Sequence, residues 1–175
     1  MNPMSENAHR RIDDLIKLLN RLSALHEDLL GVIRRKIDAM KRADIEGMRE
    51  FGEQEQSIVV QIGEREGLRR QLMDLIGEDF KLPARSARSV SLKQLGARIP
   101  TAWQSILGDA GDRLRSCMTR VAAANRVAGE IARQVVTHLK WVFASVRPDD
   151  GEPVGYSRTG MLVSNTETRL FDAMG

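Results

Sequence analysis

The apolar residues of this chain recur at steps of three and four over stretches far longer than an ordinary globular helix. From about Ser5 to Lys41 they fall at Ile12, Leu15, Ile16, Leu19, Leu22, Leu29, Ile33, Ile37 and Met40, with His26 and Lys36 interrupting the stripe. A period near 3.5 lines such residues along one side of an α-helix and calls for a second apolar stripe beside it. At 1.5 Å per residue the segment spans on the order of 50 Å. That length excludes most small globular folds and leaves bundles and coiled coils.

The partners follow in the sequence. Lys41 and Arg42 suit a helix C-terminus and Asp44 suits the N-cap of the next helix. A second stripe runs through Ile45, Met48, Phe51, Ile58, Ile62, Leu68, Leu72, Leu75 and Ile76, thinned by Gly52, Glu55, Gly63 and Gly67. Gly77 is expected at the left-handed position that ends a helix, giving a helix over about 45–76. So short a link between long helices forces them antiparallel. Residues 78–100 form a connector bracketed by Pro83 and Pro100. Ser91-Leu-Lys-Gln94 has the form of a capping box, and Thr101-Ala-Trp-Gln104 repeats it at the start of a third long helix. Gly108 and Gly111 are expected to loosen its first turns. Its seam reads Leu107, Leu114, Met118, Val121, Asn125, Ala128, Ala132, Val135, Leu139, Val142 and Val146, and Pro148 ends it. The expectation is an all-α fold: an elongated antiparallel three-helix bundle or coiled coil over 1–146, helices at about 5–41, 45–76 and 101–146, and a flexible tail over 147–175.

Composition narrows the function. Aromatics are 4% and charged residues 29%, with no glycine-punctuated β-branched runs of the kind an α/β domain shows. A single cysteine, Cys117, excludes an internal disulfide and a cysteine-rich metal site, and reads as a small buried hydrophobe. His9, His26 and His138 lie more than ten residues apart, so no two share a metal-binding helix face; His26 reads as a core-edge residue. No phosphate loop, dinucleotide fingerprint or nucleophile elbow occurs. We expect no enzyme, no cofactor, no metal and no small-molecule substrate. No apolar run reaches membrane-spanning length, and Met1-Asn-Pro-Met-Ser-Glu lacks the hydrophobic stretch of a signal peptide, which points to the cytoplasm. The connector carries Lys81, Arg85, Arg88, Lys93 and Arg98 without an acid, a basic stretch that either solubilises or touches acidic surfaces. Nucleic-acid binding needs aromatics to stack on, and the connector offers only Phe80, while Trp103 and Trp141 sit in helical contexts where burial is expected.

What remains is binding to protein. Asn125 falls in the third seam, as a residue that fixes register or as one that faces a groove. The strip Val135, Leu139, Val142 is expected to stay exposed near the end of that helix. Tyr156, in Pro153-Val-Gly-Tyr156-Ser-Arg-Thr-Gly160, has no core to join; it either folds back or meets a partner. Leu170 and Phe171 lie on one flank of a short helix-prone segment that either frays or fits a groove.

Together these pieces resemble the FlgN family of bacterial flagellar export chaperones. The resemblance rests on the Leu-rich first helix ending near Met40, the step Ala43-Asp44-Ile45-Glu46-Gly47-Met48, and the run Arg65-Glu-Gly-Leu-Arg-Arg-Gln-Leu-Met-Asp-Leu-Ile76. It rests also on Ala124-Asn125-Arg-Val-Ala-Gly-Glu-Ile131 and on the tail Glu152-Pro153-Val-Gly-Tyr156-Ser-Arg-Thr-Gly160. It implies a cytoplasmic type III export chaperone, monomeric or weakly dimeric. Such a protein binds hook–filament junction proteins, prevents their premature assembly and delivers them to the flagellar export gate. Asn125, Val135, Leu139, Val142, Tyr156, Gly160, Leu170 and Phe171 are the expected contacts, with Tyr156 docking on the gate's cytoplasmic domain. The competing readings are a structural coiled-coil adaptor that dimerises on its own strips, and weak nucleic-acid binding through the connector.

Overall fold

The computed structural model describes residues 6–80, 92, 95, 99–145, 155–156 and 162–163. Among them are three long helices, α1 (Glu6–Lys41), α2 (Ile45–Asp79) and α3 (Thr101–Ser145), and two short strands, β1 (Gly155–Tyr156) and β2 (Leu162–Val163). The chain divides into two compact units, residues 1–134 and 135–175. In the first, α1 is the central helix of a bundle. It buries side chains along its whole length, from Ala8 through Ile12, Leu15, Leu19, Leu22, Leu29 and Ile33 to Ala39. The helix α2 buries only Met73, Ile76 and Gly77 fully.

The α1–α2 turn is set by backbone bonds that only one conformation satisfies. The Asp44 amide donates to the Ala39 carbonyl (2.9 Å) and the Ala43 amide to that of Met40 (3.1 Å), which closes a Schellman cap on α1. The cap needs a left-handed residue, and Ala43 fills that place with φ of 54°. Asp44 then serves α2 as its N-cap, its Oδ1 accepting from the Gly47 amide at 2.9 Å. A Cβ on Gly47 would fall 2.5 Å from the Asp44 carboxylate, so this glycine lets the cap close over it. An L-residue pays a steric cost in the left-handed region that glycine avoids. Ala43→Gly is therefore expected to stabilise the fold by about 0.5–1 kcal/mol. A higher urea midpoint at unchanged slope checks it.

Side chains fix α1 and α2 antiparallel. Arg11, near the start of α1, donates to the Leu75 carbonyl (3.1 Å) and to Asp79 (2.8 Å) at the end of α2. Near the turn, Lys36 pairs with Glu55, and Arg35 lies over the Phe51 ring at 5.4 Å while bonding Gln54. The helix α3 runs parallel to α1. Arg113 donates to Asn20 (3.2 Å), Cys117 to Glu27 (3.1 Å), and the His9 and Trp103 rings meet edge to face at 6.3 Å.

Two apolar clusters hold these helices. The larger joins Ile12, Leu15, Ile16, Leu19 and Leu22 of α1 to Met73 and Ile76 of α2, and to Leu107, Ala110 and Leu114 of α3. Leu95 and Ile99 of the connector belong to it, buried to 1% and 4% exposure. The smaller joins Leu29, Leu30, Ile33 and Ile37 to Val121 and Ala128, with Ile58, Ala124 and Ile131 beside them. His26 is buried, its Nδ1 donating to the Leu22 carbonyl at 2.8 Å, so the ring carries its proton on that nitrogen.

Several expectations from sequence are corrected. Gly77 does not end α2; it is helical and buried, and the helix runs on to a cap at Phe80. Burial explains the difference, since the last turn is held by Ile76 in the core and not by the C′ residue. Ile45, Leu68 and Leu75, counted in the second stripe, are exposed. Gln104 does reach back, but its Nε2 donates to the Ile99 carbonyl (2.8 Å) and not as a capping-box acceptor. Gly111 admits the Leu92 side chain, whose Cδ1 lies 2.9 Å from where a Cβ would stand, so it is a contact and not a loosening. The basic residues Lys81, Arg85, Arg88, Lys93 and Arg98 lie outside the described residues.

Candidate surface for a partner helix on α3

The side of α3 that meets α1 is not the seam read from the sequence. Leu107, Ala110, Leu114, Cys117, Val121 and Ala128 are buried, with Ala124 and Ile131 against the second cluster. Met118 and Asn125, read as seam residues, are exposed, and Ala132 is half-buried. Both choices satisfy three-four spacing between Leu114, Val121 and Ala128. The small Cys117 and Ala124 lie on the side toward α1, and Met118 and Asn125 are displaced one residue onto the flank. Asn125 is thus no buried register residue. It shares that exposed flank with Met118.

Cys117 is not simply a hydrophobe. Its thiol donates to Glu27, and Arg120 closes the trio by bonding both the Glu27 carboxylate and the sulfur (3.3 Å). Hydrogen bonds from Cys117 and then Arg120 hold the Glu27 carboxyl below its ordinary range. Burial, and then the Glu27 carboxylate, push the Cys117 thiol up. The two shifts act on opposite limbs of the pH–stability curve. A lowered carboxyl contributes stability above its unfolded pKa and loses it as pH falls through the folded value. A raised thiol contributes below its unfolded pKa and loses it as pH rises through the folded value. At pH 8 the native thiol should therefore react with a disulfide reagent far more slowly than the unfolded one. Glu27→Gln should speed the native reaction and flatten the acid limb; an unchanged rate would contradict the assignment.

The hydrogen bonds between α1 and α3 join residues 90 to 93 apart in sequence, which sets Lys41, the last residue of α1, level with about Gln134. From Val135 on, the seam residues of α3 continue as Val135, His138 and Val142, and the flanks turn apolar. Val135, Val136, Leu139 and Phe143 are exposed, Phe143 to 72%, and Val142 is half-buried. Trp141, expected to be buried, is 65% exposed, with its ring stacked on His138 at 6.2 Å between centroids. Trp103 is half-buried. Of the strip expected to be exposed, Val135 and Leu139 are exposed and Val142 is half-buried, and Val136, Trp141 and Phe143, which sequence reasoning did not include in the strip, are exposed as well. The available signal was the widening of the apolar stripe after Gln134. On the preceding turn, Arg133 bonds Glu130 (2.6 Å), and with Gln134 lowers the Glu130 pKa.

Of the tail contacts, Tyr156 is described only in its backbone. It pairs antiparallel with Leu162, and Gly155 with Val163, where a tail without regular structure was expected. Gly160, Leu170 and Phe171 lie outside the described residues. Among the described residues no cluster of His, Cys, Asp and Glu could hold a metal ion. No helix among them is long and apolar enough to cross a membrane.

No curated protein and no solved structure matches the chain. A family does match: residues 4–164, covering all three helices and the strand pair, align with the family described as FlgN protein, and the chain belongs to that family of flagellar export chaperones.

Proposed function

We propose that this protein is a cytoplasmic type III export chaperone for hook–filament junction proteins, holding their helical ends apart from one another and delivering them to the export gate. The observation that carries the reading is the apolar surface that Val135, Val136, Leu139, Trp141 and Phe143 expose at the end of α3. An amphipathic client helix laid along Val135, Leu139 and Val142 covers that surface, and Asn125, exposed in the first unit, is a separate candidate contact. Tyr156 docks on the gate, and Tyr156→Ala is expected to slow export.

The test is calorimetric titration of a purified junction protein into the wild-type chain and into a Val135→Asp, Leu139→Asp double variant. Both substituted positions are exposed, so the fold should survive, as an unchanged circular dichroism melt would show. Affinity is expected to fall at least tenfold, about 1.4 kcal/mol. Unchanged affinity would move the client site elsewhere. The same strip also suits a second copy, and light scattering of the chain alone distinguishes the two: a stable dimer without junction-protein affinity favours the adaptor reading.

A further inference from the structure

The last three turns of α3 are apolar on two opposite sides. Val136, Leu139 and Phe143 make up one side, exposed to 51%, 48% and 72%. Trp141 stands on the other. It is two residues past Leu139, hence roughly 160° around the helix from it by the shorter way. A helix docked against a helix covers a stripe on the order of 100° wide. A single segment lying on the Leu139 side therefore leaves the indole in water, although tryptophan is among the residues that contribute most when a partner covers them.

Charge says what kind of partner fits. Between Glu130 and Asp149 the sequence has no acid, while it has Arg133, Lys140 and Arg147. Glu130 already engages Arg133. A second copy of this chain would set basic flanks against basic flanks. A helix bearing glutamate or aspartate beside its apolar stripe would meet the exposed Lys140 with opposite charge.

We propose that the end of α3 is clasped from two sides by a pair of acid-flanked helical segments of the client, one on the Leu139 side and one against Trp141. The inference rests on the chaperone reading above and adds the number of segments and the second contact face. It predicts that the client offers two helices to one chaperone helix, which occupies the place between them.

A Trp103→Phe variant, in which Trp141 is the sole tryptophan, titrated with a full-length junction protein tests it. Binding should shift Trp141 emission to the blue and reduce its quenching by acrylamide. Trp141→Ser in the otherwise native chain should weaken binding at least tenfold by calorimetry, as should Leu139→Asp. Tight binding with Trp141 emission unchanged, or with Trp141→Ser as tight as wild type, overturns the two-sided arrangement and leaves the chaperone reading standing. Absence of binding to the unsubstituted chain sinks the chaperone reading itself. A blue shift that grows with protein concentration and without client assigns the surface to a second copy and overturns the proposal.

Discussion

Leu19→Ala is expected to cost about 3 kcal/mol, the middle of the range for emptying a fully buried leucine site. For a chain of this size that lowers the melting temperature by on the order of 10 °C. Leu19 has no exposed surface and lies in the cluster where α1 meets α2, α3 and the connector at once. Three elements converge on the site and none can close the cavity without giving up its own contacts, so the loss should exceed the transfer term alone. Val59→Ala provides the contrast: Val59 is 46% exposed on α2 and the change should stay within about 0.5 kcal/mol. A Leu19→Ala variant that melts with wild type would mean that the central position of α1 is wrong.

Leu95→Ala should cost nearly as much, about 2–4 kcal/mol. This result separates two views of residues 78–100. A connector that merely spans α2 and α3 would tolerate the change. Here Leu95 and Ile99 are buried beside Ile12 and Met73, and Leu92 packs on Gly111. Leu95 and Ile99 are thus part of the core, with Leu92 packed against it. Proteolysis should also report it, with cleavage within 81–91 faster in Leu95→Ala than in wild type.

Measured on the same sample series, the thermal melts and the thiol rates of Cys117 address different parts of the molecule. Leu19 and Leu95 sample the first cluster, while Cys117 reports the contact between α1 and α3 near Glu27. A Leu95 variant that exposes Cys117 without a matching loss of global stability would show α3 opening on its own.

Three long helices, their order and the hairpin between the first two follow from local chemistry. Repeated three-four spacing selects the helix, Asp44 and the residues before it mark the turn, and a three-residue link leaves no orientation but antiparallel for α1 and α2. The same periodicity was silent on which side of α3 faces inward. Leu114, Val121 and Ala128 fit a seam that passes through Cys117 and Ala124 as well as one through Met118 and Asn125. Side-chain packing against α1 placed the small pair inward and left the large and polar pair outside. That choice left Asn125 on an exposed flank, which removes the register reading and leaves the groove-facing one. Gly77 and the connector leucines are of the same kind, since their role depends on neighbours distant in sequence. Exposure at the end of α3 combines both causes. The apolar residues are written in the sequence, and only the structure shows that Val135, Val136, Leu139, Trp141 and Phe143 stay exposed. Periodicity is a local property and determines the elements; burial is a property of pairs and is decided where the helices meet.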